Sequence, residues 1–156
     1  MGNGQFIPDT RAVPPILLAE DSHDDEEFFR RALQRNGLNN PVHAVQSGEE
    51  AIKYLAGEGQ YADRIKFPLP HLVVLDSRMG GKSGLDVLRW VRQQPQFGAL
   101  PMLMLGGTGS PEEKELAARL GAVGYYSKPS TPAELERLVA EIGRKWLLPP
   151  SADAAA

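Results

Sequence analysis

The sequence predicts an α/β fold in which five parallel strands alternate with five helices and form one doubly wound sheet. Short apolar runs alternate along the chain with longer stretches of helical period, and this alternation is typical of a parallel sheet covered by helices. The 156 residues, 42% of them apolar, suffice for one domain with a full core. Charged residues follow several of the apolar runs, at the edge where open α/β sheets bind their ligands.

The five apolar runs are the expected strands. They cover residues 16–19, 42–45, 72–75, 102–105 and 123–126. The stretches of helical period that follow them predict helices over residues 24–35, 49–55, 85–93, 111–120 and 132–145. The order of these elements predicts the arrangement (βα)5.

Several boundaries carry their own signals. Ser47 is followed three residues later by Glu50, which is the spacing of a capping box at the start of the second helix. Pro111 and Pro132 stand at or near first helical positions, where proline is tolerated. Residues 57–70 are rich in glycine, proline and charge and are long for a helix-to-strand connection, so they predict a surface insertion.

Chemistry-bearing residues follow four of the strands. They are Glu20 and Asp21, Asp76, the run Gly106-Gly107-Thr108, and Lys128. In the flavodoxin-like strand order 2-1-3-4-5, the first and third strands flank the switch point, which brings the three carboxylates together. Like charges so close raise one another's pKa or recruit a cation, and hard oxygen ligands with room for water suit Mg²⁺. Lys128 is placed to partner an added anion.

Two other interpretations of these residues compete with a cation site. Gly81-Lys82-Ser83 has the closing letters of a phosphate-binding loop, but Asp76 stands where that loop needs its first glycine. A carboxylate there would repel phosphate oxygens, which argues against a nucleotide site. Each acidic residue taken alone also suits a helix cap or a solvated loop, so the prediction rests on their convergence.

Composition excludes several classes of function. The net charge of −3 and the lack of a basic run argue against nucleic acid or an anionic membrane surface as a partner. The absence of cysteine excludes disulfides, thiolate metal sites and thiol nucleophiles. The polar, proline-bearing start does not have the pattern of a secretion signal, and no apolar run has the length of a membrane span, so we expect a cytoplasmic protein.

The pattern as a whole resembles the receiver domain of bacterial two-component response regulators. The resemblance spans residues 16–146 and rests on ILLAEDS, on LVVLDSRM with Gly84 eight residues after Asp76, and on GYYSKP. The stretches HDDEEFFRRAL, GEGQYADR and KWLL are similar to stand-alone receivers that partner phytochrome-type histidine kinases. The resemblance implies a flexible segment over residues 1–14, a receiver domain over 15–148 and a disordered tail over 149–156.

The resemblance also implies a role for each site residue. Asp76 would accept a phosphoryl group from a sensor histidine kinase, and Lys128 would pair with the phosphoryl oxygens. Glu20 and Asp21, with Asp76 and the backbone carbonyl of Arg78, would hold Mg²⁺. The chain is then a phosphoacceptor of a phosphorelay that contributes half of an active site, rather than an enzyme.

Two positions depart from the family pattern. Gly80 replaces the usual proline four residues after the phosphoacceptor, and Gly106 replaces the Thr or Ser that binds the phosphoryl group and couples it to an aromatic switch. The nearest hydroxyl is that of Thr108, and the aromatic position is occupied by Tyr125. We therefore expect phosphorylation with a weakened conformational response. The competing hypothesis is a pseudo-receiver that acts as a binding module without phosphorylation.

The apolar run Trp146-Leu147-Leu148 beyond the last helix predicts a homodimer, because a monomer must either expose it or fold it back. Packing of this run onto its own domain is the alternative.

Overall fold

A computed structural model describes residues 13–107 and 110–147 of the chain. Its five parallel strands have the order β2-β1-β3-β4-β5, which confirms the predicted topology. The strands are β1 (Ile16–Ala19), β2 (Val42–Val45), β3 (Leu72–Asp76), β4 (Met102–Gly106) and β5 (Gly124–Ser127). The helices are α1 (His23–Arg35), α2 (Gly48–Ala56), α3 (Gly84–Arg92), α4 (Pro111–Arg119) and α5 (Pro132–Ile142).

The core consists of two apolar layers, one on each face of the sheet. Alternate residues of β1, β3 and β4 face opposite layers, so both faces of these strands are buried and their sequences are continuous apolar runs. Helices α2, α3 and α4 contribute to one layer, and α1 and α5 contribute to the other. None of the helices in the described ranges has the length and apolar character that crossing a membrane requires.

All five helices begin in the same way. Each has a serine or threonine cap whose side chain accepts a hydrogen bond from the backbone N–H three residues on. That third residue is acidic in every case: Asp25, Glu50, Asp86, Glu113 and Glu134. In α3 it completes a capping box, whereas in α2 Glu50 instead accepts a hydrogen bond from the Tyr61 hydroxyl at 2.7 Å. The capping-box prediction for α2 is therefore wrong, although its serine cap is confirmed.

The insertion over residues 57–70 closes the C-terminal end of α2. The Arg64 guanidinium donates to the carbonyl oxygens of Tyr54 and Leu55, both at 2.8 Å, and so adds hydrogen bonds to carbonyls in the last turn of the helix. Tyr61 and Phe67 pack edge-on with ring centroids 5.1 Å apart. The insertion lies at the surface, as its composition predicts, but its aromatic side chains extend the core.

The chain after α5 folds back onto its own domain. Helix α5 ends at Ile142, and a wider helical turn, Gly143–Leu147, follows it. Leu147 is 2% exposed and packs with the α1/α5 layer, which Trp146 also contacts. Leu148 and the predicted tail lie outside the described residues, as does the predicted N-terminal segment up to residue 12. The homodimer stays a prediction, but its motive is weaker, because Leu147 of the apolar run is buried within its own domain.

Candidate functional site

Three carboxylates meet at the C-terminal edge of the sheet, as the strand order predicts. Ala19 pairs with Leu75 in the β1–β3 ladder, so Glu20 follows β1 beside Asp76 at the end of β3. Carboxylate oxygens of Glu20, Asp21 and Asp76 lie within 4.8 Å of one another. Glu20 and Asp76 are buried, whereas Asp21 is exposed and opens the cluster to solvent.

This cluster has the chemistry of a site for a hard divalent cation. Burial raises the pKa of Glu20 to about 7, and the neighbouring Asp76 carboxylate adds to the rise, while Lys128 opposes it. A cation that prefers oxygen ligands would stabilise the ionised form of such crowded, buried carboxylates. The donor set therefore fits Mg²⁺ or a similar ion, with the exposed Asp21 side left for water and substrate oxygens.

Lys128 lies over the same cluster. Its backbone N–H donates to the Gly106 carbonyl at 2.6 Å, which fixes the start of the β5–α5 loop against β4. Its Nζ atom lies 3.0 Å from an oxygen of Asp76, 3.0 Å from one of Glu20 and 2.8 Å from one of Asp25. Burial works against the lysine charge, but hydrogen bonds to these three carboxylates outweigh it and hold the pKa of Lys128 above its usual range.

Asp25 is the residue of this group that sequence reasoning did not single out. It lies in the first turn of α1, and its carboxylate contacts the Lys128 ammonium beside the strand ends. Sequence alone presents it as an ordinary acidic residue at a helix start, which the other four helices also have. Its position in the sequence does not distinguish it from those residues.

The backbone around Asp76 is closely fitted. The Arg78 N–H donates to Asp76 Oδ1 at 3.1 Å, which leaves Oδ2 to the Lys128 ammonium. Gly84 opens α3 directly behind this strand end, and a methyl group at Gly84 would lie 2.6 Å from the Asp76 carbonyl oxygen. The glycine eight residues after Asp76 is thus required by close packing. The carbonyl of Arg78 stays a predicted metal ligand.

The loop between β3 and α3 does not bind phosphate in the manner of a nucleotide-binding loop. The Lys82 N–H donates to Glu49 of α2 at 3.1 Å, and the same carboxylate lies against Gly81. An anion at this loop would meet the Glu49 carboxylate, which supports the sequence argument against a nucleotide site. This hydrogen bond also ties the loop to α2, although Gly80 lacks the rigidity of a proline.

The β4 and β5 ends form a second, different region. The Tyr125 ring lies over Gly106 and donates its hydroxyl to Glu113 of α4. A methyl group at Gly106 would lie 2.5 Å from Cζ of Tyr125, so only a glycine leaves room for the ring in this position. Burial and the Glu113 carboxylate raise the pKa of Tyr125 to about 12. Thr108, the predicted substitute hydroxyl, lies outside the described residues.

A cavity of about 310 Å³ adjoins the carboxylate cluster between α1 and the β5–α5 loop. Its walls are mainly apolar and include Phe28 of α1, which is 45% exposed, and Pro129. Asp25 and Lys128 line it as well. Lys128 and two of its carboxylate partners, Glu20 and Asp25, are therefore reached from this side of the domain.

Known proteins resemble this chain over most of its length. It is 26% identical to the response regulator Rcp1 of Synechocystis sp. over 136 residues, which are 86% of this chain and 90% of Rcp1. The crystal structure of the Mn²⁺-bound form of Rcp1 superposes with a TM-score of 0.79 at 25% identity, covering 88% of this chain and 97% of that one.

Two further solved structures share the fold. The phosphorylated cyanobacterial phytochrome response regulator RcpA has a TM-score of 0.80 at 27% identity, over 90% of this chain and all of RcpA. The response regulator RPA3017 in red light signalling of R. palustris has a TM-score of 0.82 at 27% identity, over 89% of this chain and 97% of that one. Residues 16–140 match the family described as response regulator receiver domain. The chain belongs to the response regulator receiver domain family.

Proposed function

We propose that this protein is a single-domain response regulator that accepts a phosphoryl group on Asp76 from a sensor histidine kinase and signals by a change of its surface. The observation that carries the proposal is the convergence on Asp76 of Glu20, Asp21 and the Lys128 ammonium. The near full-length similarity to Rcp1 and RcpA supports the single-domain arrangement. The same similarity favours a phytochrome-type kinase as the partner.

The transfer needs positioning and charge neutralisation more than acid–base chemistry. A carboxylate oxygen of Asp76 forms the new bond to phosphorus while the bond from phosphorus to the kinase histidine nitrogen breaks, and that nitrogen keeps the electron pair. The Arg78 N–H holds Oδ1 of the acceptor in place. Lys128 offers its positive charge to the transferred oxygens, because it already lies 3.0 Å from Asp76 Oδ2.

The metal that fits this cluster is Mg²⁺, held by Glu20, Asp21, Asp76 and the backbone carbonyl of Arg78. When bound, it would neutralise negative charge on the phosphoryl oxygens. The existence of a Mn²⁺-bound form of Rcp1 supports the binding of a divalent ion by this chain as well. Mg²⁺ is the ion we propose because it prefers oxygen ligands and retains waters, which the exposed side at Asp21 accommodates.

The second candidate function is that of a pseudo-receiver, a binding module that works without phosphorylation. The observation that favours it is the Tyr125 ring, which fills the space over Gly106 with no phosphoryl group present. We rank it second because the acidic cluster and Lys128 are complete. Neither nucleic acid nor a membrane is proposed as a partner, and the cytoplasm is the proposed location.

Intact-mass measurement after incubation with acetyl phosphate and Mg²⁺ tests the proposal. We expect the native protein to gain one phosphoryl group, and the Asp76→Asn variant to gain none. Asp24→Asn is the matched control, because Asp24 is exposed in α1 and lies outside the cluster. An unmodified native protein, or equal modification of Asp76→Asn, would support the binding-module function instead.

A further inference from the structure

Every N–H donor of the Lys128 ammonium is matched by a carboxylate in the resting protein. An ammonium has three donors, and Asp25, Glu20 and Asp76 each place an oxygen within 3.0 Å of Nζ. A phosphoryl group on Asp76 brings new anionic oxygens to the same place. Lys128 can donate to them only after it releases one of its present partners.

The partner most easily released is Asp25. The side chains of Glu20 and Asp76 are 4% and 7% exposed, whereas that of Asp25 is 39% exposed. Water can therefore replace the ammonium at Asp25, but not at the two buried carboxylates without a large desolvation cost. The ion pair between Lys128 and Asp25 also borders the cavity beside α1.

The direction of the Asp25 side chain differs from that of its counterpart in α3. At the same helix position Asp86 turns back and accepts a hydrogen bond from the Ser83 N–H at 2.9 Å. In α1 the Ser22 N–H donates to Glu20 at 3.3 Å instead. The Asp25 carboxylate is thereby free of capping and lies on Lys128.

We infer that Asp25 is a positioning residue, which holds the Lys128 ammonium in the resting protein and yields it to the phosphoryl group on Asp76. The inference rests on the proposed function, and it adds a competing carboxylate to the acceptor site. The ion pair between Nζ and Asp25 is exchanged for a hydrogen bond from Nζ to a phosphoryl oxygen. No proton is transferred, and water hydrates the released Asp25 carboxylate.

The test compares phosphorylation rate constants of Asp25→Asn and Asp24→Asn with acetyl phosphate and Mg²⁺, followed by intact mass. Both variants remove one negative charge from the same turn of α1, but only the first removes a partner of Lys128. We expect Asp25→Asn to be phosphorylated about two- to fivefold faster than Asp24→Asn, which corresponds to the loss of one partly exposed ion pair. Asp25→Glu should restore the native rate, because its carboxylate still reaches the ammonium.

Measurements in the Lys128→Met variant separate the positioning role of Asp25 from the general effect of removing a negative charge. In Lys128→Met, the added substitution Asp25→Asn should change the rate no more than Asp24→Asn does. A metal-free measurement is independent of the transfer. The Lys128 ammonium signal in NMR spectra recorded without Mg²⁺ should exchange faster with water in Asp25→Asn than in Asp24→Asn.

Equal rates and equal ammonium exchange in the two asparagine variants would overturn the role of Asp25 while leaving phosphorylation intact. An acceleration that persists in the Lys128→Met background would also overturn it. If the native protein gains no phosphoryl group at all, the proposed function fails first, and the role of Asp25 falls with it.

Discussion

The two halves of the sheet's C-terminal edge differ in how they are built. At the ends of β1 and β3, the carboxylates of Glu20, Asp21 and Asp76 lie together, and the Lys128 ammonium pairs with Glu20 and Asp76. At the ends of β4 and β5, a glycine replaces the family's hydroxyl residue, and the Tyr125 ring fills the space it leaves. One half has the charged groups that the proposed phosphoryl transfer requires, whereas the other lacks the hydroxyl side chain of the family pattern.

If Asp76 is phosphorylated as proposed, this difference teaches that capture and read-out of the phosphoryl group reside on different strands and can vary separately. Capture depends on charges fixed by buried strand ends, so any change there costs the chemistry itself. Read-out depends on whether the Tyr125 ring can change between two side-chain positions. The predictions below test each half in turn.

Removing the lysine should have the largest effect. We expect Lys128→Met to lower the rate of phosphorylation by acetyl phosphate about 100-fold, because it removes a preorganised positive charge from the transferred oxygens. Rate constants from intact mass measure this. Lys82→Met is the control, because Lys82 contributes its backbone N–H to Glu49 and lies away from the cluster. A loss below about threefold would show that Lys128 does not act on the transferred group.

Mg²⁺ affinity should depend strongly on pH through Glu20. Because burial raises the pKa of this carboxyl to about 7, the ion must displace a proton below that pH. We expect the affinity measured by titration calorimetry to fall by up to about tenfold per pH unit between pH 7 and pH 5. Glu20→Gln should remove most of this dependence. An affinity that is flat over the same range would show that Glu20 is ionised throughout.

Glu20 should also make the free energy of unfolding of the metal-free protein depend on pH. The pKa of Glu20 is higher in the folded state than its ordinary value of 4.5, so the folded protein binds this proton more tightly than the unfolded chain. The contribution is complete below about pH 4.5 and is lost as pH rises to about 7, on the order of 3 kcal/mol. Urea unfolding of the native protein and Glu20→Gln at pH 5 and pH 7.5 isolates it.

Restoring the family's hydroxyl should alter the read-out half without affecting capture. A threonine at 106 cannot share its space with the inward Tyr125 ring, so Gly106→Thr should expel the ring in the resting protein, at a cost of about 1 to 3 kcal/mol in the free energy of unfolding. Phosphorylation could then move the Tyr125 ring from the outward to the inward position. We expect a larger phosphorylation-induced change in hydrogen exchange over residues 124–127 than in the native protein.

Gly107→Ala is the matched control for this substitution, because no heavy atom lies within 4 Å of the position its methyl group would take. It should leave both the stability and the response close to native. If Gly107→Ala enlarges the response as much as Gly106→Thr does, then glycine flexibility limits the read-out, and the space beneath Tyr125 does not.

The smallest effect is expected from Glu113→Gln. The Tyr125 hydroxyl donates to this carboxylate, and an amide accepts the same bond less strongly. We expect a loss of about 1 kcal/mol or less in the free energy of unfolding and a small outward shift of the ring, visible in the NMR signals of Tyr125. An unchanged ring position would show that packing over Gly106 alone holds it.

The sequence predicts the capture half well because its signals are local. Strands buried on both faces appear as continuous apolar runs, and the residues that end them are read directly from the chain. In the strand order 2-1-3-4-5, which the structure has, the ends of the first and third strands bring Glu20, Asp21 and Asp76 together. The aromatic position at Tyr125, three residues before Lys128, was instead implied by the family resemblance.

The remaining contacts depend on side-chain direction, which spacing does not determine. All five helices present an acidic residue at the same place, yet Asp86 caps its helix, Asp25 binds Lys128 and Glu113 binds Tyr125. The inward position of Tyr125 likewise depends on the space over Gly106, so the departure noted in the sequence has a packing consequence beyond the loss of a hydroxyl. Whether Leu147 is buried or exposed depends on how the chain after α5 packs against α1, which the sequence does not show.

One experiment tests the difference between the two halves most directly. The native protein is incubated with acetyl phosphate and Mg²⁺, and intact mass and hydrogen exchange are recorded on the same sample. We predict nearly complete gain of one phosphoryl group, with little change in exchange over residues 124–127, where Tyr125 already lies inward. A large change in that segment of the phosphorylated native protein would contradict this account of the read-out half, and failure to gain the phosphoryl group would contradict the account of capture.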